Sequence, residues 1–143
     1  MSAESMGLVL DRAGVRLTDA RRAVLGLIDE RPGGFTANDL VADARAQRVA
    51  VGRASVFRTV ELLEDLSLVE RLDLPSGEHT YVACEPAHHH HVVCSRCGKA
   101  TEIANCGITA VARQVARRTG YQIDTHRLEL FGLCPDCRMP RIR

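Results

Sequence analysis

Two cysteine pairs with the spacing Cys-x-x-Cys lie in the last third of the chain: Cys94 and Cys97, then Cys134 and Cys137. Each pair can present two thiolates to one face of a tetrahedral ion, and two pairs complete four sulfur ligands with no open position. A redox dithiol is the alternative, but it needs one exposed pair and does not require the second. The spacing therefore predicts a structural zinc site that ties the end of the chain to an earlier strand.

A run of four histidines, His88 to His91, leads directly into the first cysteine pair. Successive side chains on a strand point to opposite faces, so His89 and His91 share one face while His88 and His90 share the other. One strand could thus serve two metal sites. A solvated polar edge is the alternative interpretation.

The first face of this strand has candidate partners in Glu70 and Cys84. With His89 and His91 they form a set of two imidazoles, one thiolate and one carboxylate, which suits Zn²⁺, whereas a ferrous sensor favours nitrogen and oxygen ligands without thiolate. We predict a zinc site from these four residues. Taken alone, Cys84 is better explained as a small buried hydrophobic residue.

The second face combines His88 and His90 with His126, which lies on a later predicted strand. Cys106, Glu102 and Glu129 compete for the fourth position. The candidate third metal site is therefore His88, His90, Cys106 and His126. A structural histidine that binds no metal is the alternative for His126.

Composition limits the classes of protein that the chain can represent. It has 143 residues, with six cysteines, six histidines and a formal net charge of +1. The first ten residues lack the basic start and apolar run of a secretory signal, so we expect reduced thiols that serve as metal ligands. Charged residues interrupt every apolar segment, which excludes a membrane span. We expect a soluble, cytoplasmic protein that does not bind membranes.

The first half of the chain predicts a helix-turn-helix. Apolar residues recur at helical spacing over 18–31, 36–47 and 53–66, with a capping-box pattern at Thr36 and Asp39. No acidic residue occurs between Asp43 and Glu61, where four arginines form a basic stripe: Arg45, Arg48, Arg53 and Arg58. From charge alone, a solvated helix face is the favoured interpretation of such a stripe. The third helix begins with residues that could face DNA, namely Arg53, Ser55, Phe57 and Arg58.

Strand-like runs over 68–74 and 79–83 flank a Pro75–Glu78 turn and predict a hairpin wing. Beyond it, 88–93, 101–103 and a long run over 121–131 read as strands, and 108–119 reads as a helix. We therefore predict an α+β fold with two domains. Residues 1–83 form a winged helix-turn-helix domain that binds DNA, and residues 84–143 form a small α/β domain that binds metal and pairs with a second copy.

These motifs together resemble the ferric uptake regulator family from Arg16 to Cys137. The matching segments are Arg16-x-Thr18-x-x-Arg21, the recognition helix Ala54 to Thr59, the histidine run before Cys94-x-x-Cys97-Gly98, and His126 to Gly132 before Cys134. The resemblance implies a homodimer that binds palindromic, double-stranded operator DNA when it is loaded with metal. It also implies that Arg16 contributes to the DNA-binding surface.

Within this family, Glu70, Cys84, His89 and His91 look like the sensing site of zinc uptake regulators, and Cys84 is the distinguishing ligand. The chain differs from the usual pattern at Ala20, where Gln is common, and at Phe57, where Tyr is common. Thr109 replaces a carboxylate that often completes the second-face site, so this site is either incomplete or takes Cys106 as the substitute ligand.

The sequence therefore predicts a zinc-responsive repressor of metal uptake and homeostasis genes, with both structural and regulatory Zn²⁺. An iron- or peroxide-responsive regulator with Fe²⁺ or Mn²⁺ at the regulatory site is the nearest alternative. A zinc storage or carrier protein is a second, but it leaves the helix-turn-helix and wing unexplained. An enzyme is not expected, because zinc deaminases need a His-x-Glu sequence that this chain lacks. No small-molecule substrate is expected either.

Overall fold

The computed structural model describes residues 1–31, 33–84, 89–103 and 106–139. The chain forms two compact units, Met1–Pro86 and Ala87–Arg143. No helix in the described ranges is long and apolar enough to cross a membrane.

Four helices begin the first unit: α1 Ala3–Arg12, α2 Asp19–Asp29, α3 Ala37–Ala46 and α4 Arg53–Asp65. The Thr18 side chain accepts a hydrogen bond from the backbone N–H of Arg21, and Thr36 and Asp39 form the predicted capping box at the start of α3. These bonds satisfy backbone N–H groups that have no partner within the helix. The helices predicted over 18–31, 36–47 and 53–66 are confirmed.

A hairpin completes the first unit, with β1 Val69–Asp73 antiparallel to β2 His79–Ala83. In its turn Gly77 has φ +86°, a conformation that costs glycine little and other residues more. Phe35 pairs with Tyr81, which joins the segment before α3 to the hairpin. The predicted wing and its turn are confirmed.

The apolar core of the first unit lies among the helices and the inner side of the hairpin. Its largest fully buried side chains are Phe35, Met6, Leu10, Leu25, Leu40, Leu63 and Leu68. Residues at helical spacing supply this core, so burial of one face of each amphipathic helix fixes the position of α4 against the rest of the unit.

The second unit contains β3 His90–Cys94, β4 Ala100–Ile103, α5 Ile108–Thr119, β5 Glu129–Gly132 and the short α6 Pro135–Arg138. Its sheet has the order β4-β3-β5, with β4 antiparallel and β5 parallel to β3. The helix predicted over 108–119 matches α5, which ends at Gly120 in the left-handed conformation.

The prediction of one long strand over 121–131 is wrong. Only Glu129–Gly132 pairs, alongside His91 to Cys94 of β3, and 121–128 has no strand assignment. A strand requires a hydrogen-bonding neighbour, and the register that pairs Glu129 with His91 would set 121–127 beyond the start of β3 at His90. The apolar and polar alternation of a segment does not reveal whether such a neighbour exists.

Candidate metal centres

The four cysteines of the two Cys-x-x-Cys pairs meet at one end of the sheet in the second unit. Cys94 ends β3, Cys97 lies in the following turn, Cys134 precedes α6 and Cys137 lies within it. Their sulfur atoms all lie within 4.8 Å of one another, and the Cys97 and Cys134 sulfurs are 3.8 Å apart. Tetrahedral Zn–S bonds of about 2.3 Å set sulfurs about 3.8 Å apart. The Cys97–Cys134 separation therefore matches a tetrahedral zinc site, and the other two sulfurs lie close enough to complete it.

Backbone hydrogen bonds hold each cysteine pair in its turn. The N–H of Gly98 donates to the Cys94 carbonyl at 2.9 Å, and the N–H of Cys137 donates to the Cys134 carbonyl at 3.0 Å. The Arg96 guanidinium also donates to the Cys137 carbonyl at 2.5 Å, which links the two turns directly. Sequence reasoning missed this contribution of Arg96, because nothing in a Cys-x-x-Cys spacing indicates where an intervening side chain points.

The thiols of this cluster differ in acidity. Backbone hydrogen bonds, first from Cys134 and then from Cys97 and Arg96, lower the pKa of Cys94 to about 6. The hydrogen bond of Cys137 with the Cys134 thiol, together with burial, raises the pKa of Cys137 to about 12. Without metal at neutral pH, Cys94 is a thiolate and Cys137 keeps its proton. Metal binding must therefore displace a proton from Cys137.

A second group of donors lies in the same unit. The His90 Nε2 and Cys106 Sγ atoms are 3.2 Å apart, Cys106 Sγ and His126 Nε2 are 3.0 Å apart, and the two Nε2 atoms are 3.2 Å apart. His90 is buried, while Cys106 and His126 are half-buried. Three of the four residues predicted for the third site thus meet at one point. The fourth, His88, lies outside the described residues.

The strand register changes the interpretation of two further candidate ligands. His91 pairs with Glu102 on β4 and with Glu129 on β5, whereas His90 pairs with Ile103. Residues directly opposite each other on paired strands share a face, and neighbours along a strand do not. The suggestion that Glu102 or Glu129 completes the site of His90 is therefore wrong, since both lie in the row of His91.

Two of the predicted sensing residues belong to the first unit. Glu70 lies on β1 opposite Val82, and Cys84 follows β2 directly. Cys84 is 5% exposed, and its backbone N–H donates to the Leu68 carbonyl at 3.1 Å. A Glu70 carboxylate oxygen lies within 4.8 Å of the Cys84 sulfur. The hairpin therefore places a thiol and a carboxylate side by side.

The other two sensing residues belong to the second unit. The rings of His89 and His91 are 4.8 Å apart between centroids and meet edge to face. The His91 side chain is buried, and so is the Nε2 atom of His89. The two imidazoles thus share one face, as the strand alternation predicted.

The residues predicted to contact DNA lie mainly at the exposed start of α4. The Arg53 guanidinium lies over the Phe57 ring at 4.6 Å from its centroid, and Arg58 donates to the Ala54 carbonyl. Ser55 is half-buried, and its carbonyl accepts a hydrogen bond from the Thr59 hydroxyl at 2.7 Å. Arg16 is exposed before α2, and its carbonyl accepts a hydrogen bond from Arg21.

Comparison with known proteins identifies the group to which this architecture belongs. A model described as the ferric uptake regulator family matches residues 12–131. A zinc uptake regulation protein of Mycobacterium tuberculosis (strain CDC 1551 / Oshkosh) is 34% identical over 129 residues, which cover 90% of this chain and 99% of the relative. A ferric uptake regulation protein of Neisseria gonorrhoeae is 29% identical over 130 residues, 90% of each chain.

A solved structure of a zinc uptake regulator in complex with zinc and DNA matches with a TM-score of 0.71 at 25% identity, over 94% of this chain and 91% of that one. This match confirms the predicted α+β fold, with a winged-helix DNA-binding domain and a dimerisation domain. The prediction that the protein is not an enzyme is also confirmed, because the matched proteins are transcription regulators. The chain belongs to the ferric uptake regulator family of metal-dependent, DNA-binding regulators.

Proposed function

We propose that this protein is a zinc-responsive repressor that controls genes of metal uptake and homeostasis in the cytoplasm. The observation that carries the proposal is the pairing of a buried Cys84 thiol with the Glu70 carboxylate. A thiolate ligand favours Zn²⁺, whereas Fe²⁺ and Mn²⁺ sites in proteins are built mainly from nitrogen and oxygen donors. The similarity to a zinc uptake regulation protein supports the same interpretation.

Glu70, Cys84, His89 and His91 are proposed to hold the regulatory ion. Two pairs support this set, since Glu70 and Cys84 adjoin in the first unit and His89 and His91 adjoin in the second. When these four residues bind one ion, the metal favours the DNA-binding conformation of the protein. It does so in proportion to the difference in metal affinity between that conformation and the others.

The four-cysteine cluster, Cys94, Cys97, Cys134 and Cys137, is proposed to hold a permanent structural zinc. It offers four thiolates and no open position, so it is suited to stability rather than to sensing. Loss of this ion would unfold its surroundings, whereas a regulatory ion must bind and leave a folded protein.

The exposed start of α4 is proposed to enter the major groove of operator DNA. Gly52 caps this helix without a side-chain hydrogen bond, so its first backbone N–H groups can meet a phosphate. Arg53 and Arg58 supply positive charge there, and the half-buried Phe57 can contact a thymine methyl group. Exposed Arg16 is proposed to contact the phosphate backbone beside this major groove.

Two copies of the chain are proposed to form a dimer through the second unit. None of the twelve residues of α5 is buried, and Val111 and Val115 are 52% and 43% exposed. Tyr121 and Ile123 are also exposed and alternate with polar residues. This alternation suits a segment that pairs as a strand only when a second copy supplies the neighbouring strand. A second copy would cover these side chains and place two α4 helices on successive half-sites.

An iron-responsive regulator is the second candidate, and the similarity to a ferric uptake regulation protein favours it. Fe²⁺ in the sensing site would then replace Zn²⁺, and the Cys84 thiolate would be an unusual ligand for it. The two candidates are distinguished by operator binding at buffered free Zn²⁺ and, without oxygen, at buffered free Fe²⁺. The proposal expects tight binding at the lower concentration of Zn²⁺, and a response to Fe²⁺ alone would contradict it.

A further inference from the structure

The residue that follows the C-cap of α3 has a backbone conformation that glycine usually supplies. Arg48 has φ +58°, in the left-handed region, where the β-carbon of an ordinary residue is crowded by the backbone. Its N–H donates to the Arg45 carbonyl at 3.3 Å, and the N–H of Val49 donates to the Ala44 carbonyl at 2.8 Å. These two hydrogen bonds form a Schellman motif, which satisfies the last carbonyls of a helix and most often has glycine at this position.

The same motif ends α1 and α4. At this position α1 has Gly14, with φ +72°, and α4 has Ser67, with φ +57°. Glycine in place of Arg48 or Ser67 would relieve a crowded backbone. An arginine at such a position lowers the stability of the unit unless its side chain contributes something in return. The reason for Arg48 therefore lies with its side chain.

The Arg48 side chain is exposed and makes no ion pair or side-chain hydrogen bond with any described residue. The nearby acidic residues of α3 are engaged elsewhere, since Asp39 and Asp43 both contact the Arg31 guanidinium. No acidic residue follows Asp43 in the sequence until Glu61. Within the described part of the first unit, the charge of Arg48 is thus left to the solvent side.

The turn that contains Arg48 leads directly into the helix end that is proposed to enter the major groove. Arg48 precedes Gly52, the N-cap of α4, by four residues, so their Cα atoms lie at most about 14 Å apart. Val49 and Val51 pack against the core, and the N–H of Val51 donates to the Val49 carbonyl at 2.9 Å, which keeps the turn compact. Because the major groove is only about 12 Å wide, a row of phosphates borders the docked helix at a distance that a long side chain in this turn can span.

We propose that Arg48 contacts a DNA phosphate beside the groove occupied by α4, and that this contact accounts for an arginine where glycine would be more stable. This role rests on the proposed docking of α4 onto double-stranded DNA. A contact with the phosphate backbone adds affinity and fixes orientation without selecting a base sequence. Arg48 would therefore hold the start of α4 in register, while side chains of α4 contact the bases.

A purely structural role is the rival explanation, because a cation near the C-terminus of a helix interacts favourably with the helix dipole. Arg45 already supplies a positive charge to the last turn of α3. The turn of Arg48 also leads to the N-terminus of α4, where a positive charge is unfavourable. The two explanations predict opposite effects of Arg48→Gly on stability, since glycine removes the charge and relieves the backbone.

Arg48→Gly, Arg48→Lys and Ser67→Gly are compared in the zinc-loaded protein by thermal unfolding. We expect both glycine variants to raise the melting temperature of the first unit by about 4 °C, because each relieves a left-handed residue. Arg48→Lys keeps the charge and the β-carbon, so its melting temperature should be unchanged. Ser67→Gly is the matched control, because Ser67 lies beyond the other end of α4, about 20 Å from Gly52. It also keeps the Ser67 carbonyl that lies 3.9 Å from the Cys84 sulfur.

DNA binding is measured on the same proteins by fluorescence anisotropy, with a mixed-sequence duplex over a range of salt concentrations. Loss of one phosphate contact should make the slope of log affinity against log salt concentration shallower by about 0.9 for each chain bound. We expect this change in Arg48→Gly, and an unchanged slope in Arg48→Lys and Ser67→Gly. An unchanged slope in Arg48→Gly, the same loss in Ser67→Gly, or a melting temperature that does not rise in Arg48→Gly would overturn the proposal.

These outcomes are separable from the test of the proposed function, because binding to a mixed-sequence duplex requires no operator. A salt slope that depends on Arg48, in a protein whose operator binding ignores zinc, would contradict the proposed function alone. Zinc-dependent operator binding with the same salt slope before and after Arg48→Gly would contradict the role of Arg48 alone.

Discussion

Replacing Cys97 with serine is expected to unfold the second unit while leaving the first unit folded. The reason is the small amount of apolar burial in the second unit, where Val93 is the one buried aliphatic side chain among the described residues. Full burial of a valine contributes about 1.5–3 kcal/mol. A structural zinc contributes about 10–16 kcal/mol of apparent binding energy in small zinc peptides. The metal therefore outweighs this core, and three ligands leave its site open.

The first unit does not depend on that zinc. It has its own core around Phe35, Met6 and Leu10, each at most 1% exposed. Thermal unfolding followed by circular dichroism should therefore show a retained transition from the helical first unit and the loss of a second one. Sedimentation should show dissociation of the dimer, since the exposed apolar residues proposed for the interface lie in the second unit.

Ser95→Ala is the matched control for this experiment. Ser95 lies between the same two cysteines, and its backbone N–H donates to the Gly132 carbonyl at 2.8 Å, a bond that the substitution preserves. This variant should retain its zinc, its dimer and both transitions. A Cys97→Ser protein that remained dimeric with an unchanged melting temperature would refute the structural role of the cluster.

Three further outcomes are expected. Arg58→Ala should weaken operator binding by about 1–3 kcal/mol if Arg58 contacts a base. If Arg58 contacts a phosphate instead, the slope of log affinity against log salt concentration should become shallower by about one. Unchanged affinity of the metal-loaded variant would exclude α4 from the interface. Ile123→Asp should shift the protein to monomers in sedimentation, while Asp124→Asn should not, and a dimeric Ile123→Asp would exclude this segment from the contact. Zinc affinity of the metal-free cysteine cluster should rise with pH from 6 to 8, because the Cys137 pKa of about 12 means that its proton must leave. The slope is about tenfold per pH unit for each proton displaced, and a flat profile would contradict that protonation state.

The sequence was sufficient to predict elements whose cause is local. Thr36 and Asp39 form the capping box that their spacing predicted, and Gly77 takes the positive φ of the predicted turn. The regular recurrence of apolar residues likewise located α2, α4 and α5. In each case, hydrogen bonds and burial within a few turns decide the structure.

Other elements depend on partners that a sequence does not identify. Helix α1 was not predicted, although Ser2 as its cap and the four-residue spacing of buried Met6 and Leu10 were signals for it. The strand predicted over 121–131 was too long, because the pairing that defines a strand comes from another segment.

The metal centres show the same division between local and distant causes. The Cys-x-x-Cys spacing predicted which four thiols would meet, since each pair is bound to its own turn. The choice between Cys106 and the carboxylates of Glu102 and Glu129 required the strand register, which pairs both carboxylates with His91. Alternation along a single strand defines faces but not which residue of a neighbouring strand lies opposite.

The measurement that tests the proposed function most directly is operator affinity as a function of buffered free zinc for Cys84→Ser beside the unmodified protein. The substitution removes the thiolate next to Glu70 and leaves the four-cysteine cluster intact, so folding and one structural zinc per chain should persist. We expect the zinc concentration at half-maximal operator binding to rise strongly, with partial recovery in excess zinc through Glu70, His89 and His91. A Cys84→Ser protein whose zinc response matched that of the unmodified protein would contradict the assignment of Cys84 as the sensing ligand, and with it the preference for zinc over iron.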